Sequence, residues 1–199
     1  KASATWAPLA QYSDLFCAKL REPTLEDMNA LFNSSNSIDY ALYTACTNAY
    51  DNFYKNMYML WRQDADGNYR FFRVPWDMDF TWGNYYDTNS SVSRSFRTDS
   101  AKDARLSYDM QAWLALDDGE MKQALLQRWQ ELRSGIFSEA SILARMDEQV
   151  SLLQQNGVYQ RDFERWPQSE ASSDMTDTYA LVHDRLQFLD QQFTELAKW

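Results

Sequence analysis

The sequence predicts an α+β fold, mainly helical, with one small β-hairpin set between two acidic motifs. Two aromatic-rich runs, Met57-Tyr58-Met59-Leu60-Trp61 and Tyr69-Arg70-Phe71-Phe72-Arg73-Val74, flank Asp64-Ala65-Asp66-Gly67-Asn68, whose Asp-Gly step favours a hairpin turn. Directly after the second run comes Val74-Pro75-Trp76-Asp77-Met78-Asp79-Phe80-Thr81-Trp82-Gly83, two carboxylates among aromatics just past a strand end. Most of the remaining chain carries apolar residues at helical spacing.

Taken in order, residues 1–24 read as a connecting segment and 25–199 as the folded domain. Helices are expected from Leu25 to Leu31 and from Ile38 to Tyr50, the second capped by Asn36-Ser37. That helix delivers the chain to Asp51, and the hairpin follows. Pro75 is expected to end the second strand, because it cannot donate to a ladder. Residues 84–104 mix Asn, Ser, Thr, Asp and Arg without sustained period and read as a long loop, the natural place for substrate recognition. Helical patterns then run near 107–116, 119–134, 138–155, 158–166 and 175–198. In the last of these, Leu181, Arg185, Leu186, Leu189, Phe193 and Leu196 recur on one face, and its apolar positions are expected in the core.

Composition excludes several function classes. The chain of 199 residues is 45% hydrophobic and 16% aromatic, enough for a packed core. Nineteen basic against 29 acidic side chains give a net charge of −10 with no local basic patch, so binding to nucleic acid or to an anionic membrane surface is disfavoured. No apolar run approaches the roughly 20 residues of a membrane-spanning helix. Cys17 and Cys46 have neither CxxC spacing nor companion histidines, which argues against a structural zinc and leaves one disulfide or two thiols. His183, the single histidine, falls in a helical pattern beside Asp184 and Arg185 and reads as a helix-surface residue. The five glycines are too scattered for a phosphate-cradling loop.

The acidic motifs carry the chemistry. Asp51 and Asn56 have four residues between them, the spacing of a kinase catalytic loop. On one continuous helix they would stand roughly 140° apart, so they converge only if a loop follows the helix. The hairpin then returns the chain to Asp77, and the order of catalytic loop, hairpin and metal-binding acid is that of protein kinases. Asp and Asn offer hard oxygen ligands suited to Mg²⁺. The same residues are also compatible with ordinary turns, or with Asp79 paired to an arginine.

Asp51-Asn52-Phe53-Tyr54-Lys55-Asn56-Met57-Tyr58-Met59-Leu60 together with Arg73-Val74-Pro75-Trp76-Asp77-Met78-Asp79-Phe80-Thr81-Trp82-Gly83 resembles the paired signature of the spore-coat protein H family, the CotH kinases. The second segment is the more specific, with Pro-Trp-Asp, a further acid and a Trp-Gly ending. The resemblance extends more loosely through Phe163-Glu164-Arg165-Trp166 and the helix with Arg185, Phe188 and Leu189, spanning roughly residues 25–199. It implies the C-terminal lobe of an atypical protein kinase that uses ATP and Mg²⁺ to phosphorylate Ser or Thr of a protein substrate. In that pattern Asp51 is the catalytic carboxylate, Asn56 a helper ligand for the metal and nucleotide, Asp77 the essential metal-binding acid and Asp79 a second acidic position. Ala49-Tyr50 stands where conventional kinases place His-Arg. The residues before Leu25 are too few for the strand-rich lobe with its ATP-contacting lysine, so the expectation is a kinase-like C-lobe without its N-lobe. A spore-coat, cell-surface or extracellular location with coat or surface partners is also implied. The competing reading is a non-catalytic module or pseudokinase, in which eight Trp and twelve Tyr bind carbohydrate or protein and the acids hold a structural Ca²⁺.

Overall fold

The computed structural model describes residues 22–53, 55–85, 95–96, 106–116, 119–168 and 171–196, with isolated positions 10, 13, 14, 17 and 18 before them. Helix α1 (Leu25–Leu31) starts at Thr24, whose hydroxyl accepts from the Asp27 N–H while the Asp27 carboxylate accepts from the Thr24 N–H. This reciprocal capping box satisfies two donors that the first helical turn leaves free. Helix α2 (Ser34–Thr47) begins earlier than its sequence suggests and ends earlier too. Its cap is Asn33, whose Oδ1 accepts from the Asn36 N–H at 2.9 Å, rather than Asn36-Ser37. Asn36 is otherwise engaged: its Oδ1 accepts from the Arg73 N–H at 2.6 Å and its Nδ2 donates to the Arg73 carbonyl at 3.1 Å. The helix stops at Asn48, which takes the left-handed conformation at φ 50 that closes a helix end, so Tyr50 lies beyond it.

The hairpin is present as expected and slightly longer. Strands β1 (Met57–Gln63) and β2 (Tyr69–Pro75) pair antiparallel from Met57↔Pro75 to Gln63↔Tyr69. Gly67, at φ 88, takes the positive angle that the turn requires. Pro75 closes the ladder as its final residue, at the outermost pair of a two-stranded sheet. Phe71 packs against the core, Phe72 on the opposite face lies under the Arg62 guanidinium, and the Asn33 N–H donates to the Phe71 carbonyl at 3.1 Å, docking the hairpin on the α1–α2 junction.

Within 84–104, read from sequence as loop, β3 (Asn84–Tyr85) and β4 (Ser95–Phe96) form a second antiparallel ladder. Two-residue strands have no readable period, which is why the composition reads as loop. The rest of that stretch lies outside the described residues. Helices α3 (Tyr108–Leu116), α4 (Glu120–Arg133), α5 (Glu139–Gln155), α6 (Val158–Arg165) and α7 (Thr176–Leu196) follow close to their expected bounds. The mainly helical α+β class therefore holds.

Helix α2 is the hub. Its Ile38, Ala41, Leu42, Ala45 and Cys46 join Met110 and Trp113 of α3, Leu125 and Trp129 of α4, and Val182, Leu186, Leu189 and Phe193 of α7 in one buried cluster. The alanines at positions 41 and 45 keep that face low, so neighbouring helices can approach closely. Leu181, Leu186, Leu189 and Phe193 are buried as their spacing predicts, and Leu196 packs against the cluster. Arg185 is fully buried on the same face, and its Nε donates to the Ala45 carbonyl at 2.8 Å, near the C-terminal end of α2. A cation there complements the helix dipole. His183 is exposed, with Nδ1 3.0 Å from Glu139 Oε2, a helix-surface residue as read. Cys17 and Cys46 are both free thiols.

Candidate functional site

Beyond α2 the chain makes a 3₁₀ turn, Tyr50–Phe53, that buries Asp51, Asn52 and Phe53. The local order is thus the one the Asp51–Asn56 spacing demands, a tight turn after the helix and then a strand. Asp51, 5% exposed, receives Lys55 Nζ on Oδ2 at 2.7 Å. Asn56 Nδ2 lies 3.3 Å from the same oxygen and 3.5 Å from Asp77 Oδ2. Three of the four predicted residues, drawn from two segments, therefore meet around one side-chain amide. Positive hydrogens lie between the two carboxylates, which marks the spot as one that calls for positive charge.

The second segment is held by main-chain bonds. The Trp76 N–H donates to the Asn56 carbonyl at 2.9 Å, the Tyr50 N–H to Phe80 at 3.2 Å, and the Trp82 N–H to Thr47 at 2.8 Å. The Pro-Trp-Asp to Trp-Gly stretch is accordingly a loop stitched to the end of α2 and the 3₁₀ turn. Its Trp-Gly ending has a geometric reason. Trp82 at φ 52 and Gly83 at φ 86 are consecutive left-handed residues, and the Asn84 N–H closes on the Thr81 carbonyl at 3.0 Å, a turn of the I′ kind. Asn56 and Asp77 are left-handed as well, at φ 53 and 54. Asn and Asp tolerate that region better than other side chains, whereas a tryptophan there is strained. Such outliers cluster where surrounding structure fixes a functional geometry.

Asp79 follows in the same loop, half-buried, with its carbonyl accepting from Asn84 Nδ2 at 2.6 Å. Among the described residues no group of three or more His, Cys, Asp or Glu side chains is arranged to hold a metal ion. The cluster instead offers two carboxylates and an amide, all hard oxygen donors once the amide presents its oxygen.

Sequence reasoning missed two residues here. Lys55 stands four residues after Asp51, a spacing that makes neighbours of side chains on a helical turn, and that signal was readable. Asn52 gave none, since an Asn beside an Asp reads as an ordinary turn pair. It is 1% exposed, and its Nδ2 donates to the carbonyls of Asn56 at 2.6 Å and Trp76 at 2.8 Å.

Tyr58 and Trp76 lie beside the cluster with ring centroids 5.3 Å apart, 50% and 58% exposed. The two rings meet edge to face. With this geometry in place, the profile of the CotH kinase proteins matches residues 1–192, almost the whole chain. The chain belongs to the CotH kinase protein family. Neither curated proteins nor solved structures give a significant match. Membership suggests a kinase-like function, with ATP, a divalent cation and a protein substrate, and the family's name points to the spore coat. Among the described residues no helix is long and apolar enough to cross a membrane.

Proposed function

We propose that this CotH-family chain carries the catalytic and metal-binding acids of an atypical protein kinase, which moves the γ-phosphate of ATP to a Ser or Thr hydroxyl of a protein with Mg²⁺. The observation that carries this reading is the meeting of Asp51, Asn56 and Asp77 around one amide, within 3.5 Å, in the order of catalytic loop, hairpin and metal-binding acid. Asp51 orients the acceptor hydroxyl and takes its proton. Asp77 and the Asn56 amide oxygen hold the cation, and Asp79 serves as the second acid of the loop. Bound Mg²⁺ supplies charge neutralisation of the phosphate oxygens, the dominant requirement of phosphoryl transfer.

The other groups fit the same task. The Lys55 ammonium, half exposed at the rim, places positive charge beside the carboxylate that orients the acceptor hydroxyl, the oxygen to which the phosphoryl group is transferred. Tyr58 and Trp76 give a nucleobase an aromatic surface on which to stack. A coat or cell-surface protein as acceptor is consistent with the family's name.

ATP titrated into the chain, followed by tryptophan fluorescence with and without Mg²⁺, tests the binding half. The expected result is Mg²⁺-dependent binding that Asp77→Ala weakens about tenfold or more and Asp51→Ala leaves intact. Binding indifferent to both Mg²⁺ and Asp77→Ala would overturn the assignment.

A further inference from the structure

We propose that Asn52 is the positioning residue of this site: its side-chain amide sets where Asn56 and Asp77 stand. The inference builds on the assignment of Asp51, Asn56 and Asp77 as the phosphotransfer group. Asn52 sits in the turn that carries Asp51, almost wholly buried, and Nδ2 spends both hydrogens on main-chain carbonyls. One belongs to Asn56 itself, the other to Trp76, the residue before Asp77. The Asn56 carbonyl also receives the Trp76 N–H at 2.9 Å, so the two segments are tied at one point. Asn52 is anchored from behind as well, because Tyr40 Oη donates to its carbonyl at 2.6 Å.

Two features separate this from simple cohesion. Asn56, within the tie, and Asp77, next to it, are both left-handed, an uncommon conformation for a non-glycine residue even though Asn and Asp tolerate it, and the tie holds the chain at both. Further, two carbonyl acceptors dictate that Nδ2 faces them, which turns Asn52 Oδ1 the other way, where it meets no donor among the described residues. Buried polar groups are nearly always hydrogen-bonded, and here both donors end on main-chain carbonyls beside the site, so the direction of the side chain is set by what it holds there. Aspartate cannot replace it, since a carboxylate would set oxygen against both carbonyls. Leucine matches its volume and supplies no donor.

The test compares the parent chain with Asn52→Leu and Asp77→Asn by three readouts: circular dichroism for the fold, amide hydrogen exchange at Trp76, and Mn²⁺ titration by water-proton relaxation. In Asn52→Leu the expected result is a retained helical spectrum, exchange at Trp76 about tenfold faster or more, and Mn²⁺ affinity lower by about 10–100-fold, as for outer-shell partners of metal ligands. Should Asn52→Leu fail to fold, Asn52→Ser, which keeps one donor on a shorter stem, is expected to show the same changes at smaller size. Unchanged Trp76 exchange in a folded variant overturns the proposal, as does parent-like Mn²⁺ affinity where Asp77→Asn abolishes binding. A parent chain that binds no Mn²⁺ contradicts the phosphotransfer assignment instead, and the exchange readout alone then decides whether Asn52 holds the two segments.

Discussion

Tyr40 shows at the scale of one residue how the site is backed by buried polar groups. Its ring is 3% exposed and its hydroxyl donates to the Asn52 carbonyl. Burial pushes its phenol up from the usual 10.0 to about 12, although Arg73 nearby pulls the other way. The raised value fixes the sign of the pH dependence. Below pH 10 both folded and unfolded chains keep the proton; between pH 10 and 12 the unfolded chain releases it first, so stability falls with rising pH. Urea midpoints measured from pH 9 upward are therefore expected to fall, and less steeply in Tyr40→Phe. Equal slopes in the two proteins would show that Tyr40 does not supply the effect. Other residues stand out in the sequence itself: spacing and order single out Asp51, Asn56 and Asp77, and the resemblance to the CotH kinases gives them roles. Asn52 does not, because its role lies in two main-chain carbonyls that no sequence pattern names.

Between elements, the decisive contact is the ion pair of Arg73 on β2 with Asp109 on α3, whose side chains are 8% and 4% exposed. The Arg73 guanidinium also lies over the rings of Phe32 and Tyr40, 5.3 Å and 5.7 Å from their centroids. Since β2 leads straight into Asp77, this pair fixes the strand from which the acidic loop departs. Breaking a buried pair by removing one partner strands the other charge, so Asp109→Ala is expected to cost about 3–5 kcal/mol. The double replacement Arg73→Met with Asp109→Leu is expected to recover most of that, and denaturant unfolding of the three proteins checks both. Neither residue announced itself in the sequence, because pairing across 36 positions depends on how β2 and α3 pack. The hairpin was legible, its Asp-Gly turn and aromatic strands agreeing with each other. The start of α2 was not, since Asn33-Ser34-Ser35-Asn36-Ser37 offers five capping residues in a row and only the Asn36–Arg73 contact decides among them.

The whole molecule is organised around α2, which buries one side against α3, α4 and α7 and ends at the acidic cluster. Core packing and site geometry are therefore linked through one helix: the cluster that fixes its axis also fixes where Asn48, Ala49 and the 3₁₀ turn emerge. Helical periodicity made that core legible in α7, while the centrality of α2, a helix of small and polar residues with few large apolar ones, showed only in three dimensions. The central claim, that the group at the end of α2 performs phosphoryl transfer, is tested most directly by γ-labelled ATP with Mg²⁺. Incorporation of label into protein is measured for the parent chain, extended upstream where its natural sequence continues, and for Asp51→Ala and Asp77→Ala in the same background. Transfer by the parent that falls about a hundredfold or more in each variant, with the fold intact, is the predicted result; transfer that persists in both variants would contradict it.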